Sequence, residues 1–191
     1  MFWDEVAKYK QISLLHDYKD GIKGYASPMM WGHYAQKGKG VCIEIDSEKI
    51  VFPKDGCIYN KEVEYTTEVP IINLTDGVDL HNKELINKYI DEHIDDIFFK
   101  KHIHWEHENE YRIVSNKANS LDIQDAITNI YLPYNEADVE YKIIEKLVDG
   151  SNVGLLTIVT YGSPYRKITA YDSRKLNNFL KSYHYCPVKV D

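Results

Sequence analysis

Near the C-terminal end of the 191-residue chain, Val153-Gly154-Leu155-Leu156-Thr157-Ile158-Val159 is almost unbroken in apolar residues. A strand of that composition is buried on both faces, so it needs a covering layer on each side. The preceding segment offers one. Asn135 is placed to cap a helix whose Val139, Ile143, Ile144 and Leu147 share a face, and Gly150 is placed to end it. Before it, Ile130-Tyr131-Leu132 reads as a short strand, which completes a β-α-β unit. After the turn Gly162-Ser163-Pro164, Leu176, Phe179, Leu180 and Tyr183 have the spacing of a last amphipathic helix. The expected class is α+β: a mixed β-sheet with several packed helices and this unit at its end. The length suits one domain, and no repeat, low-complexity tract or linker divides residues 1–191.

The first half supplies the remaining elements. The first 20 residues read as a helical stub and a short apolar piece, Ile12-Ser13-Leu14-Leu15. Ser27 followed by Pro28 marks a helix start, and Gly38 is placed to end the helix after Lys37. On it Met30, Trp31 and Tyr34 share one side, with His33 and Met29 on the adjoining side. Val41 to Asp46 alternates with period two, which predicts a strand with Val41, Ile43 and Ile45 toward the core and Cys42, Glu44 and Asp46 opposite. Gly56–Tyr59 and Lys61–Tyr65 are further strand candidates, and Pro70 and Asp76-Gly77 mark loops. From Asn82 to about Lys101, Leu85, Ile86, Tyr89, Ile90, Ile94, Ile97 and Phe98 keep helical spacing, which predicts one long helix.

Charge and cysteine content exclude some functions. With 23 Lys+Arg against 30 Asp+Glu the net charge is -7, so a broadly basic nucleic-acid-coating surface is not expected. No apolar run approaches the roughly 20 residues that span a bilayer, and the start MFWDEVAKYK has no signal-peptide core. Cys42, Cys57 and Cys186 form neither a disulfide framework nor a zinc pattern, which fits a reducing cytoplasm. The 16 Tyr are read as coding bias rather than a stacking role for each. Only Arg112, Arg166 and Arg174 represent arginine.

The segment 103–114 carries the most chemistry. Tyr111 and Ile113 alternate with Glu108, Glu110 and Arg112, so one strand face is expected to present two carboxylates and a guanidinium, about 6.5–7 Å apart. Three readings stand: a solvated face with weak ion pairs, a structural ion pair inside the fold, or a site in which arginine steadies a carboxylate or an anionic ligand. His33 is either a packing residue or a catalyst, set among Trp31, Gly32 and Tyr34, which together could stack a planar ring. His102, His104 and His107 with Glu106 and Glu108 match no established zinc spacing, so no metal is expected. Gly38-Lys39-Gly40 lacks the rest of a phosphate loop and reads as a helix stop and turn.

Trp31-Gly32-His33-Tyr34-Ala35 followed by Lys39-Gly40-Val41-Cys42-Ile43-Glu44-Ile45-Asp46 resembles a large bacterial and phage family of unknown function, marked by a Met-Trp-x-His-Tyr-Ala helix leading into a strand. Its second signature is Lys101, Trp105 and Glu108-x-Glu110-x-Arg112, with smaller echoes at Val63-Glu64-Tyr65 and Ser163-Pro164-Tyr165-Arg166-Lys167. The resemblance runs from about residue 11 to 172. It implies a further N-terminal stretch that this chain starts too late to contain in full, and it brings no biochemistry.

Two functional expectations follow. Histidine and tyrosine early, with a strand-borne glutamate late, resemble the layout of NAD-using ADP-ribosyltransferases. That likeness implies Glu110 as catalytic carboxylate with Glu108 auxiliary, and His33 as a ribose or phosphate contact. It implies Arg112 and Lys101 as anion contacts, and Trp31 or Tyr34 as the surface that stacks nicotinamide. The alternative is a non-catalytic ligand-binding or interaction module, for instance in phage–host conflict, in which Trp31, His33, Tyr34, Glu110 and Arg112 form a buried polar network. A nucleic-acid-acting toxin would need Lys37, Lys39, Lys100 and Lys101 to converge, against the acidic balance. The partner expected is a small nucleotide, with no membrane.

Overall fold

The computed structural model describes residues 2–53, 58–68, 70–72, 79–118, 120–133, 139–161 and 167–173. Among these, the elements in chain order are α1 (Phe2–Val6), β1 (Lys10–Leu15), α2 (Pro28–Tyr34), β2 (Cys42–Ile45), β3 (Ile58–Glu62), β4 (Glu64–Thr66), α3 (Lys83–Glu92), α4 (Ile94–Phe98) and β5 (Lys100–His102). There follow a 3-10 helix (Ile103–Glu108), β6 (Glu110–Ser115), β7 (Ile127–Pro133), α5 (Val139–Leu147), β8 (Gly154–Tyr161) and β9 (Lys167–Asp172). The class is α+β, as the sequence predicts. Cys57, Cys186, the Asp76-Gly77 loop, the Asn135 cap, the Gly162–Pro164 turn, Arg166, Arg174 and the last helix lie outside the described residues. No helix among the described residues is long and apolar enough to cross a membrane.

The fold divides into two compact units, Met1–Gly24 with Val51–Asp122, and Tyr25–Ile50 with Ile123–Asp191. In the first, β6 is the middle strand of an antiparallel sheet ordered β1-β6-β3. Lys10 pairs with Ser115 and Leu15 with Glu110 on one side, Ile58 with Ser115 and Glu62 with Tyr111 on the other. β4 and β5 form a short parallel pair in which Tyr65 lies opposite Lys101. The core gathers Phe2, Tyr9, Ile86, Ile90, Ile94, Phe99 and Val114.

The single long helix expected over 82–101 is interrupted. Asn82 caps its start, its side chain accepting from the amides of Glu84 and Leu85. At His93 the backbone leaves the helix (φ -115°, ψ 23°), and its imidazole stacks on Tyr89 with ring centroids 4.0 Å apart. α4 resumes with Ile94 in phase with Ile86 and Ile90, so burial is unbroken although the helix is not. Lys100 to His102 then pair with β4 instead of continuing as helix.

In the second unit, β2-β7-β8-β9 form a mixed sheet. β7 and β8 run parallel with α5 between them in sequence, which bears out the β-α-β unit; β9 returns antiparallel to β8. Trp31, Ala35, Tyr131 and Ile158 form the core, with Tyr25, Cys42, Leu156 and Ala170 against it. The strand at 42–45 forms where expected, but its first residues face the other way, and a register shift between Glu44 and Ile45 leaves Ile45 half-buried as expected. Cys42 joins that core, while Val41 and Ile43 are 43% and 47% exposed. The reason lies across the ladder. Cys42 pairs with Tyr131, and Glu44, two residues on and on the same face, accepts hydrogen bonds from the Tyr131 hydroxyl and from Asn129 Nδ2 (2.8 Å). Seating the tyrosine and its acceptor fixes the strand's phase. Ile143 and Leu147 of α5, expected to face inward, are exposed.

α2 starts as predicted, with the Ser27 side chain accepting from the Met30 amide. It ends at Tyr34, one turn short of Lys37, because Gln36 (φ 48°), Lys37 (φ 60°) and Gly38 (φ 87°) all turn left-handed. The amides of Lys39 and Gly40 both return to the Ala35 carbonyl, at 2.7 and 2.8 Å. That return brings Gly40 against the Ala35 backbone: a Cβ on Gly40 would lie 2.9 Å from Ala35 Cα. Gly40→Ala is therefore expected to cost about 1–3 kcal/mol, the scale of overpacking, read as a lower urea midpoint with unchanged slope. An unchanged midpoint would mean that the turn opens freely.

Candidate functional site

Strand alternation places Glu110 and Arg112 on one face of β6. Arg112 grips Glu110 with two prongs, Nε to Oε1 at 2.7 Å and Nη2 to Oε2 at 2.9 Å. Its third donor group, Nη1, bonds to the Phe98 carbonyl at the end of α4. From β5, the Lys101 ammonium lies 3.3 Å from Glu110 Oε2 and also contacts Glu108 Oε2.

Glu108 reaches this group by a route that alternation does not describe. It is the last residue of the 3-10 helix, not part of the strand. Asn109 follows in the left-handed conformation (φ 43°, ψ 51°), which turns the chain into β6. The Asn109 side-chain amide donates to the His16 and Asp17 carbonyls at 3.2 and 3.0 Å and so pins that turn. The expected row of three on one strand is therefore a pair on a strand with a third member delivered by a helix end. Lys101 ties them together.

Both carboxylates are withdrawn from water, with side chains 3% (Glu108) and 7% (Glu110) exposed. The two cations balance them in formal charge. Burial works to raise the Glu110 carboxyl, but hydrogen bonds from Arg112 and Ser13 and the charges of Arg112 and Lys101 outweigh it. The group is held below the ordinary glutamate value of 4.5. Burial likewise opposes the charge on Lys101, and the two glutamates overcome it, raising Lys101 above 10.5. Tyr65 on β4 accepts the Glu110 amide hydrogen at 2.9 Å, and burial raises its phenol.

Ser13 and Tyr65 belong to this cluster although residue pattern does not single them out. Ser13 interrupts an apolar piece and stands opposite Arg112 in the ladder, and Tyr65 closes the Val63-Glu64-Tyr65 echo. A polar residue inside a short apolar strand was the available signal for Ser13.

Trp31, His33 and Tyr34 belong to the second unit, on α2. Trp31 is 7% exposed, and its indole nitrogen donates to the Tyr25 carbonyl at 2.6 Å, so it serves that unit's core. Tyr34 is 62% exposed, and the exposed His33 ring lies 6.3 Å from it, centroid to centroid. The candidates thus form two groups: Lys101, Glu108, Glu110 and Arg112 meet in the first unit, while the α2 residues split between core and surface.

The His102 imidazole accepts from the His104 amide at 3.3 Å, and no group of three or more His, Cys, Asp or Glu among the described residues could hold a metal ion. Burial, aided by the charge of Glu44, pushes the Cys42 thiol up to about 11, which suppresses the reactive thiolate.

Residues 30–113 match the sequence model of a family described as a protein of unknown function (DUF2971). The span takes in both motifs, from Met30 on α2 to Ile113 on β6. No curated protein and no solved structure matches the chain.

Proposed function

We propose that the chain is a nucleotide-binding enzyme of the ADP-ribosyltransferase-like kind, taking NAD, with Glu110 as its central carboxylate. The observation that supports this reading most is the state of Glu110: ionised, clamped at both oxygens and shielded from water. Breaking the bond between nicotinamide and ribose leaves positive charge on the ribose. A carboxylate already charged and fixed in direction stabilises that charge without reorganising, and does so far better than a solvated one. Lys101 holds the Glu108 carboxylate beside that of Glu110.

Arg112 and Lys101 take a different role in this reading from the anion contacts first expected. Their donors are engaged with the two glutamates and the Phe98 carbonyl, so they act as positioning residues. His33 and Tyr34, exposed on α2 of the second unit, are not used by this reading. A cytoplasmic setting goes with NAD as substrate.

The test is nicotinamide release from NAD by wild type and Glu110→Gln. Loss of a group that stabilises transition-state charge is worth about 10²–10³ in rate, so the variant should fall by that factor while its circular dichroism stays native. No release by folded wild type, or equal release by the variant, would overturn the reading.

A second reading is favoured by the closure of the network itself. Two carboxylates more than nine-tenths buried and matched by two cations also describe a polar core that fixes a fold. In a non-catalytic ligand-binding or interaction module of phage–host conflict, Glu110→Gln lowers the melting temperature and no turnover exists to lose.

A further inference from the structure

The carboxylate cluster has an aromatic neighbour that the expected site did not include. Trp105 lies in the 3-10 helix, 40% exposed, with the Lys101 ammonium 5.0 Å from its ring centroid. That same ammonium contacts Glu108 and Glu110. Indole face, cation and both carboxylates therefore come from residues 101–110, and the Asn109 turn sets their geometry. The Trp105 and His107 rings lie 6.0 Å apart at 34°, which adds a second flat polar ring beside the indole.

We propose that Trp105 is the platform on which the flat ring of a nucleotide stacks when its sugar approaches the Glu108–Glu110 pair. This rests on the nucleotide reading above and replaces Trp31, whose indole is enclosed. The physical case has three parts. A partly exposed indole offers a broad rigid face at little entropic cost. The flat ring of a nucleotide stacks on an aromatic face whatever its base, because every base has a π-face. The Lys101 contact fixes the indole beside the carboxylates, so a ring stacked there carries its ribose toward them.

Binding of NAD, nicotinamide mononucleotide and AMP, measured separately by calorimetry, tests this in wild type, Trp105→Phe, Trp105→Leu and Trp105→Ala. The leucine keeps apolar bulk without a flat face, and the phenylalanine keeps a smaller flat face. Base–aromatic stacking measured by alanine substitution corresponds to about tenfold or more in affinity. NAD affinity should fall by that factor in the leucine and alanine variants and stay within about threefold in the phenylalanine variant. A matching loss for nicotinamide mononucleotide alone assigns the nicotinamide ring to the platform, and a loss for AMP alone assigns the adenine. If wild type and the leucine variant bind all three equally well, the platform is overturned while the nucleotide reading stands. If wild type binds none of them, both fall. Melting temperatures of the leucine and phenylalanine variants keep the comparison among folded proteins should the alanine variant fail to fold.

Discussion

Arg112→Met is expected to destabilise the protein by about 3–5 kcal/mol, the scale for removing one partner of a buried ion pair. The guanidinium side chain is 12% exposed and carries both prongs on Glu110 and the bond to Phe98. Without it Glu110 remains buried with Lys101 and Ser13 as its remaining partners. Arg112→Lys should recover only part of the loss, because an ammonium cannot reproduce the two-pronged geometry. The effect should depend on pH with a definite sign. A carboxyl held below its ordinary 4.5 in the folded state contributes stability that is full above that value and fades as pH falls through the folded pKa. The gap between wild type and variant should therefore be widest at neutral pH and narrow below pH 4.5. Urea denaturation at both conditions measures it. A gap under about 1 kcal/mol, typical of a solvent-exposed pair, would place the network in water.

Trp31→Ala is expected to cost about 3–5 kcal/mol, the range for truncating a large buried aromatic. The indole packs in the same core as Ala35, Tyr131 and Ile158 and also satisfies the Tyr25 carbonyl. Trp31→Phe restores most of the volume but not the donor, so it should cost about 1–3 kcal/mol for the acceptor left behind. Thermal unfolding of both variants gives the order, and an alanine variant as stable as wild type would remove Trp31 from the core. Such an outcome would also return it to the aromatic surfaces available for a ligand.

Several of these features were legible from residue order. Ser27-Pro28 starts α2 because a hydroxyl cap followed by proline satisfies an exposed amide and presets the backbone. The apolar run at 153–159 lies almost wholly in a strand, with Thr157 and Ile158 buried and the rest half-buried, and Glu110 and Arg112 share a face because strands alternate. Where pattern misled, a tertiary partner decided. The apolar members of 41–45 imply one face, yet Val41 and Ile43 lie exposed while Cys42 packs inward opposite Tyr131, whose hydroxyl donates to Glu44; only Ile45, past a register shift, keeps the expected burial. Ile86, Ile90 and Ile94 keep helical phase across His93, so periodicity cannot register a break made by one residue's backbone angles. Glu108 joined the cluster although the residues before Glu110 are not strand. Its position follows from a left-handed asparagine and a lysine seven residues upstream, which no local period encodes.

The way the two units share the chain has a consequence for synthesis on the ribosome. Lys10 on β1 finds its partner Ser115 only after 115 - 10 = 105 further residues have been made, and Cys42 waits for Tyr131. At roughly 5–20 residues per second, the nascent N-terminal strand stays unpaired for about 5–20 s. Neither unit is a continuous stretch that could be cut out by choosing two end points. The polypeptide is thus committed to late closure, and a helper that shields open strand edges would raise its yield most during that interval.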